Sequence, residues 1–558
     1  VSPEPALPAP TTDPTPEGTH VHHAPADHPT HRPPEGLVRV ADGQIVGPDG
    51  RPLLLRGVGL GTWLLPEGYM WGFGDAAASP KQIEALVERL VGPERAGRFW
   101  QEFRDAFLTA DDVALIAASG FDHVRLPINW RVLATPDGTW REDGFALVDR
   151  LVGWCRDASL LVLLDLHGAP GGQTGTNIDD SDGRPDLFAD PRNVELTVAL
   201  WREIARRYRD EAAVLGYDLL NEPLPNEWRH RYPRELVDVY RRVTAAIREV
   251  DPHHLVMYEG THWATGWEIF TEVWDPASVL QFHKYWSPPS RASIEGYLEV
   301  GRELGLPVYM GEGGENAPEW LAAVHRLYED CGVGWNFWTW KKVDTRTSPL
   351  SVVPPDGWER IVAYADGHGE PPDPAEAGRI LDDLVANLAL SRCVRRPEIA
   401  AALFRRAPVA LPAYGFGFLG PGRSYATDRA VPHPELRPDD AVTLRRRDGE
   451  PELDFHYRPG RPAGEVVVAD LAPGDWVSFG VEVPAGRWRV AVAVDAGEPA
   501  VEIDGVPAAL VAVPSVAPEG GPTWVTRYDA ASAATVEIRV LANREPVTLA
   551  EVRVEEGA

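Results

Sequence analysis

Gly216-Tyr217-Asp218-Leu219-Leu220-Asn221-Glu222-Pro223 is a short apolar run that stops on an acid. It reads as a buried strand, and it ends there because Pro223 has no N–H to offer a further ladder bond. A buried strand gains nothing from a carboxyl at its tip, so Glu222 is expected to face a cavity beyond the strand's C-terminal end. The same pattern recurs along the chain: a continuous apolar strand, a polar or aromatic tip, then an amphipathic helix. Strands are predicted near 53–60, 122–128, 160–167, 214–221, 254–259, 279–285, 306–311 and 333–340. The clearest helix carries Val194, Val198, Trp201, Ala205 and Tyr208 on one face. Further helical patterns cover 233–250 and 374–404. Strands this uniformly apolar have both faces covered. The alternation predicts an α/β fold, a (β/α)8 TIM barrel.

A chain of 558 residues is too long for one core. Residues 1–36, rich in Pro, Thr and His, read as an N-terminal tail. The spacing of His20, His22, His23, His28 and His31 fits no standard metal site, so no metal is expected. The barrel is assigned to 37–412 and opens with a small hairpin turning at Asp42-Gly43. A Pro/Gly-rich stretch over 405–425 marks a boundary. Beyond it the period shortens to two along 475–483, 488–494 and 535–541. Residues 413–558 are therefore expected to form an antiparallel β-sandwich.

The net charge of −30 argues against nucleic acid or an anionic membrane as partner. Cys155, Cys331 and Cys393 cannot close a disulfide framework. No apolar run is long enough to span a bilayer. No charged-then-apolar leader is visible, which favours the cytoplasm, with secretion left open if a leader was removed. No G-x-G-x-x-G or phosphate-loop sequence follows a strand, so no nucleotide cofactor is expected. Nothing fixes the oligomeric state.

Active sites in such barrels form where strands run out into the following loops. The tips read Arg125-Leu126-Pro127-Ile128-Asn129-Trp130, Asp165-Leu166-His167, Asn221-Glu222, Glu259, His283-Lys284-Tyr285-Trp286, Glu312-Gly313-Gly314-Glu315 and Trp338-Thr339-Trp340. Acids on strands four and seven face each other across a barrel, the arrangement that cleaves a glycosidic bond with one protonated and one ionised carboxyl. Glu222 is the candidate acid and base, its carboxyl raised by burial near a negative partner. Glu312 is the candidate nucleophile, held ionised by Arg125 and oriented by Tyr285. Asn221 is placed to bond a sugar 2-hydroxyl, with His167 and His283 completing the floor. Glu259 and Glu315 read as substrate binders or as supports for a neighbour. Tryptophans cluster near strand ends (Trp63, Trp71, Trp130, Trp228, Trp263, Trp286, Trp338 and Trp340). Flat aromatic faces stack on pyranose rings, and Trp338 is the candidate platform beneath the cleaved sugar.

Taken together, Asn221-Glu222-Pro223, Glu312, Arg125, His167, His283-x-Tyr285 and Trp338 resemble glycoside hydrolase family five, the cellulase-type family of clan A, over about residues 50–400. The stretches Leu55–Leu64 and Asp165–Gly171 are most similar to its exo-β-glucanase and β-glucosidase-like branches. The resemblance implies β-linked glycosides, a retaining mechanism and no cofactor. Gly59 stands where the family often has Asn, and Gly313-Gly314 where it often has an aromatic residue. The long polar loops 168–191 and 343–372 are expected to close the groove into a pocket, favouring short substrates or chain ends. The C-terminal sandwich resembles carbohydrate-binding modules. The expected function is retaining hydrolysis of β-glucosides or short β-glucans. A transglycosylase using the same site and a non-catalytic carbohydrate-binding protein are the alternatives.

Overall fold

We describe the protein from a computed structural model, covering residues 36–428, 431–433, 435–459, 466–514 and 521–557. The tail and its histidines lie outside the described residues, save Gly36.

The eight predicted strands form a closed parallel barrel. In chain order they are Arg56–Gly59, His123–Asn129, Leu161–Gly168, Val214–Asp218, Leu255–Glu259, Ser278–His283, Val308–Gly314 and Gly334–Trp338. The last strand pairs with the first, so no edge is left open. Helices Pro191–Tyr208, Pro233–Arg248 and Pro318–Asp330 all start on proline, whose missing N–H costs nothing in a helix's first turn. Each buries its apolar stripe against the barrel. The helical pattern over 374–404 resolves into two helices, Pro374–Asn387 and Pro397–Phe404. Between them Val394–Arg395 pairs with Leu350–Val352, and Pro397 starts the second helix afresh.

The hairpin Arg39–Ala41 and Gln44–Val46 turns through Asp42 and Gly43, both at positive φ (51° and 70°). Val38 and Ile45 pack with Leu55, Leu163, Leu215, Leu255 and Met257 in a cluster separate from the main core. These barrel residues lie at the beginnings of their strands, so the hairpin plugs the end opposite the strand tips.

The C-terminal region is an antiparallel sandwich of a seven-stranded and a five-stranded sheet. The alternating stretches appear as Trp476–Val483, Gly486–Ala496 and Ala534–Leu541. The sandwich starts earlier than residue 413: Val409–Pro412 pairs antiparallel with Val547–Glu556. One continuous apolar core joins the two domains, running from barrel residues such as Leu321, Trp335 and Phe404 to Phe416, Val477 and Val552. Arg406 pairs with Glu482 (2.9 Å) across the junction. The buried Arg437 donates to the carbonyls of Tyr414, Phe416 and Gly417. No helix among the described residues is long and apolar enough to cross a membrane.

Candidate active site

Glu222 and Glu312 meet across the barrel mouth, both buried. With His283 they place one side-chain atom each within 4.8 Å of the others. That trio has the spacing of a metal-ligand set, but its atoms already have partners. Arg125 Nη1 and the Tyr285 hydroxyl each donate to a different Glu312 oxygen, both at 2.7 Å. His283 Nδ1 lies 2.8 Å from Glu222 Oε1. Both Glu312 oxygens therefore accept hydrogen bonds, as a carboxylate does.

Arg125 organises the floor. Its guanidinium donates to Asp218 (2.8 Å), Glu312 (2.7 Å), the Asn221 side-chain carbonyl (2.8 Å) and Glu259 (3.1 Å). It also lies 3.1 Å from Asp165. Burial opposes its charge, but these carboxylates outweigh that and hold it well above its ordinary value. Burial pushes the Glu312 carboxyl up; His283 and Arg125 pull it down, and the Glu222 charge pushes it further up. The Asp165 carboxyl is pushed up to about 8 by burial, despite Arg125.

The histidines differ. His167 Nδ1 bonds Asp165 (2.7 Å), so its Nε2 accepts from Asn221 Nδ2 (3.1 Å). Burial, with Arg125 nearby, lowers His167 to about 4 and keeps it neutral. His283 goes the other way. Burial lowers it, but Glu259, Glu312 and a hydrogen bond to Glu222 overcome this and hold it well above its ordinary value. The structure therefore makes His283 the hydrogen-bond partner of Glu222 and Glu259 rather than a floor residue.

Glu222 has a left-handed backbone (φ 44°), uncommon for a side-chain-bearing residue. Its N–H donates to Glu259 Oε2 at 2.7 Å. Of the two roles open to Glu259, the geometry gives it the support of a neighbour. Gln173 adds another support, its amide donating to the carbonyls of His167 and Asn221 (2.7 and 2.9 Å).

Trp338 lies parallel to the His167 ring (centroids 5.6 Å, 1° between planes) and donates from Nε1 to the Tyr69 hydroxyl (2.7 Å). A Cβ on Gly59 would sit 2.6 Å from Trp338 Cε3, and one on Gly61 2.7 Å from its Cζ2. The departure at Gly59 therefore has a steric reason: the indole occupies the space of a side chain. Several strand-end tryptophans belong to the core instead. Trp71 is surrounded by Phe73, Phe99, Trp100, Phe103 and Trp358. Trp63 and Trp340 spend their N–H groups on Arg104 and Asp112.

Sequence reasoning missed Glu67. It lies in the loop after strand one, 4% exposed, and its Oε1 has no hydrogen-bond partner. His167 Nε2 is 3.8 Å away. Burial, reinforced by the Glu312 and Glu222 charges, pushes its carboxyl well above the ordinary range. No motif flags this residue; the only signal is an acid in an otherwise apolar strand-end loop. The long loop after strand three is pinned down by its acids. Asp179 accepts from three backbone N–H groups, those of Gln173, Thr174 and Ser181, and Asp180 accepts from Asn129 and Arg131. A cavity of 850 Å³ lined by Glu84, Trp100, Arg104 and Arg131 contains neither Glu222 nor Glu312.

Residues 92–344 match the family model of cellulase (glycosyl hydrolase family 5). The barrel is a family 5 glycosyl hydrolase domain. A β-xylosidase of Phanerodontia chrysosporium is 33% identical over 42% of this chain and 48% of its own length. A probable glucan 1,3-β-glucosidase A of Emericella nidulans is 31% identical over 46% of this chain and 66% of its own. Endoglucanase C of Acetivibrio thermocellus is 32% identical over 34% and 53% respectively. The chain thus spans between about half and two thirds of the length of these relatives. All the sequence-predicted site residues fall within the matched segment of the family 5 domain.

Proposed function

We propose that the protein hydrolyses β-linked glycosides with retention of configuration, through a covalent glycosyl-enzyme intermediate. The observation that carries this is the pair of buried carboxylates, Glu222 and Glu312, with oxygens within 4.8 Å. Retaining enzymes hold their carboxyl groups about 5–5.5 Å apart, whereas inverting enzymes leave about 6.5–9.5 Å for a water. Glu312, already accepting from Arg125 and Tyr285, attacks the anomeric carbon. Glu222 gives its proton to the departing oxygen and then takes one from the incoming water. His283 Nδ1, 2.8 Å from Glu222 Oε1, holds that carboxyl in place. Asn221 has an amide hydrogen left beyond the one on His167, free for the sugar 2-hydroxyl. Trp338 backs the ring, and Glu67, buried with Oε1 unpartnered and 3.8 Å from His167, is placed to bond a sugar hydroxyl. A buried carboxyl at the mouth supports action on chain ends and small glycosides.

The relatives are named for xylose and for glucans, so the sugar is best found by screening aryl β-glycosides and β-glucan oligomers. The expected product has the substrate's anomeric configuration by proton NMR at early times. Glu312→Ala abolishes turnover. Glu222→Gln loses about 10²–10⁴-fold on poor leaving groups but far less in the first step with activated aryl groups, which need little acid help. Full activity in both variants would refute the assignment.

A further inference from the structure

Beside the glutamates lies a second cavity, of 520 Å³, within the range of about 300–1,000 Å³ common for small-ligand sites. Tyr69, Trp286, Glu315 and Lys342 form its barrel side. Each is tied to the site just described. Tyr69 accepts from Trp338, Trp286 follows Tyr285, Glu315 lies three residues beyond Glu312, and Lys342 pairs with Glu315. The opposite wall comes from the other domain: His456, Tyr457 and Pro459. This wall is fastened to the nucleophile's own loop. Asn316 Nδ2 donates to the Phe455 carbonyl at 2.5 Å, and the His456 ring stacks on Trp286 (5.2 Å, 30°). Phe455 itself is buried against Tyr414.

We propose that residues 455–459 of the C-terminal domain complete a second sugar subsite, holding the ring next to the cleaved one. The chemistry of the walls selects a sugar. Tyr69, Trp286 and Tyr457 give the cavity aromatic walls suited to the apolar faces of a pyranose, while Glu315 and Lys342 give an acceptor and a donor for its hydroxyl rim. A purely apolar ligand would leave the Glu315–Lys342 pair facing it without water. The C-terminal domain thereby acts on specificity at the catalytic mouth instead of gathering polymer at a distance. This inference rests on the glycosidase reading above.

The test compares kcat/KM for a 4-nitrophenyl β-diglycoside with that for the matching monoglycoside, using the sugar found by screening. In Tyr457→Ala and His456→Ala the ratio is expected to fall at least tenfold. Lys342→Met, on the barrel side, is expected to lower it likewise, and Tyr457→Phe, which keeps the ring, to restore it. A wild-type ratio in both C-terminal alanine variants, whatever the absolute rates, overturns the proposal. A wild-type protein that cleaves no aryl glycoside overturns the glycosidase reading and this inference with it.

Discussion

Glu222 is held where its backbone does not rest easily. A left-handed conformation in a non-glycine residue costs on the order of 1–3 kcal/mol and persists only when its surroundings impose it. Here the Glu259 carboxylate accepts the Glu222 N–H and, through His283, also fixes the side chain. Glu259 is thus a positioning residue. Glu259→Gln is expected to lower kcat about 10²-fold while moving KM little, since a misplacement of about 1 Å costs that much; the same substitution should also alter the pH–rate profile, because His283 loses a charged neighbour. Glu67 gives a contrasting case. Glu67→Ala removes a neutral hydrogen-bonding group at the barrel mouth, worth about 0.5–1.5 kcal/mol. The expected loss in kcat/KM is about 2–10-fold, and under the proposed chain-end action the variant should also cut a β-glucan away from its ends, measured by product analysis. Asn221, Glu222, Tyr285 and Glu312 were legible as candidates because they stand at or just past strand tips, and Arg125 because it is a charge inside an otherwise apolar strand. Glu67 was not, because it lies eight residues beyond its strand, where only the folded loop brings it to the site.

At the scale of elements, the strands were legible for the same reason that they are stable: both faces are covered, so the apolar runs are unbroken. Strand one shows how closely the elements fit. Gly59→Ala would drive a methyl into Trp338. Overpacking of this kind costs about 1–3 kcal/mol; a lower denaturation midpoint with a changed near-ultraviolet Trp spectrum is the expected result. The helix Pro318–Asp330 contains another buried group with a measurable consequence. His325 donates from Nδ1 to the Leu321 carbonyl, and burial lowers it to about 3. Its folded value is thus depressed below the ordinary 6.5. The stability it contributes is complete above pH 6.5 and drains away as the pH falls toward 3, because the unfolded chain takes the proton first. Between pH 7 and pH 5 this one histidine costs about 2 kcal/mol. A His325→Leu variant is expected to lose correspondingly less over that interval, measured by urea unfolding at the two pH values.

For the whole molecule, the continuous core across the junction predicts that barrel and sandwich melt together. Calorimetry should show one transition, and Arg406→Ala, which leaves Glu482 unpaired at the junction, should shift that single transition rather than split it. Two resolved transitions would contradict this. The sandwich was legible as a fold from its period-two alternation, but its partnership with the barrel mouth was not. Asn316 and Phe455 are 139 residues apart, and no local pattern marks either for the other.

That bond also bears on how this protein can be engineered. A domain joined only by a linker can be exchanged for another, like a tool on a handle, without disturbing the catalytic domain. Here the second domain reaches back to the loop that carries Glu312. Exchanging it removes one wall of the cavity proposed as the second subsite together with the handle, so the two must be redesigned as one piece.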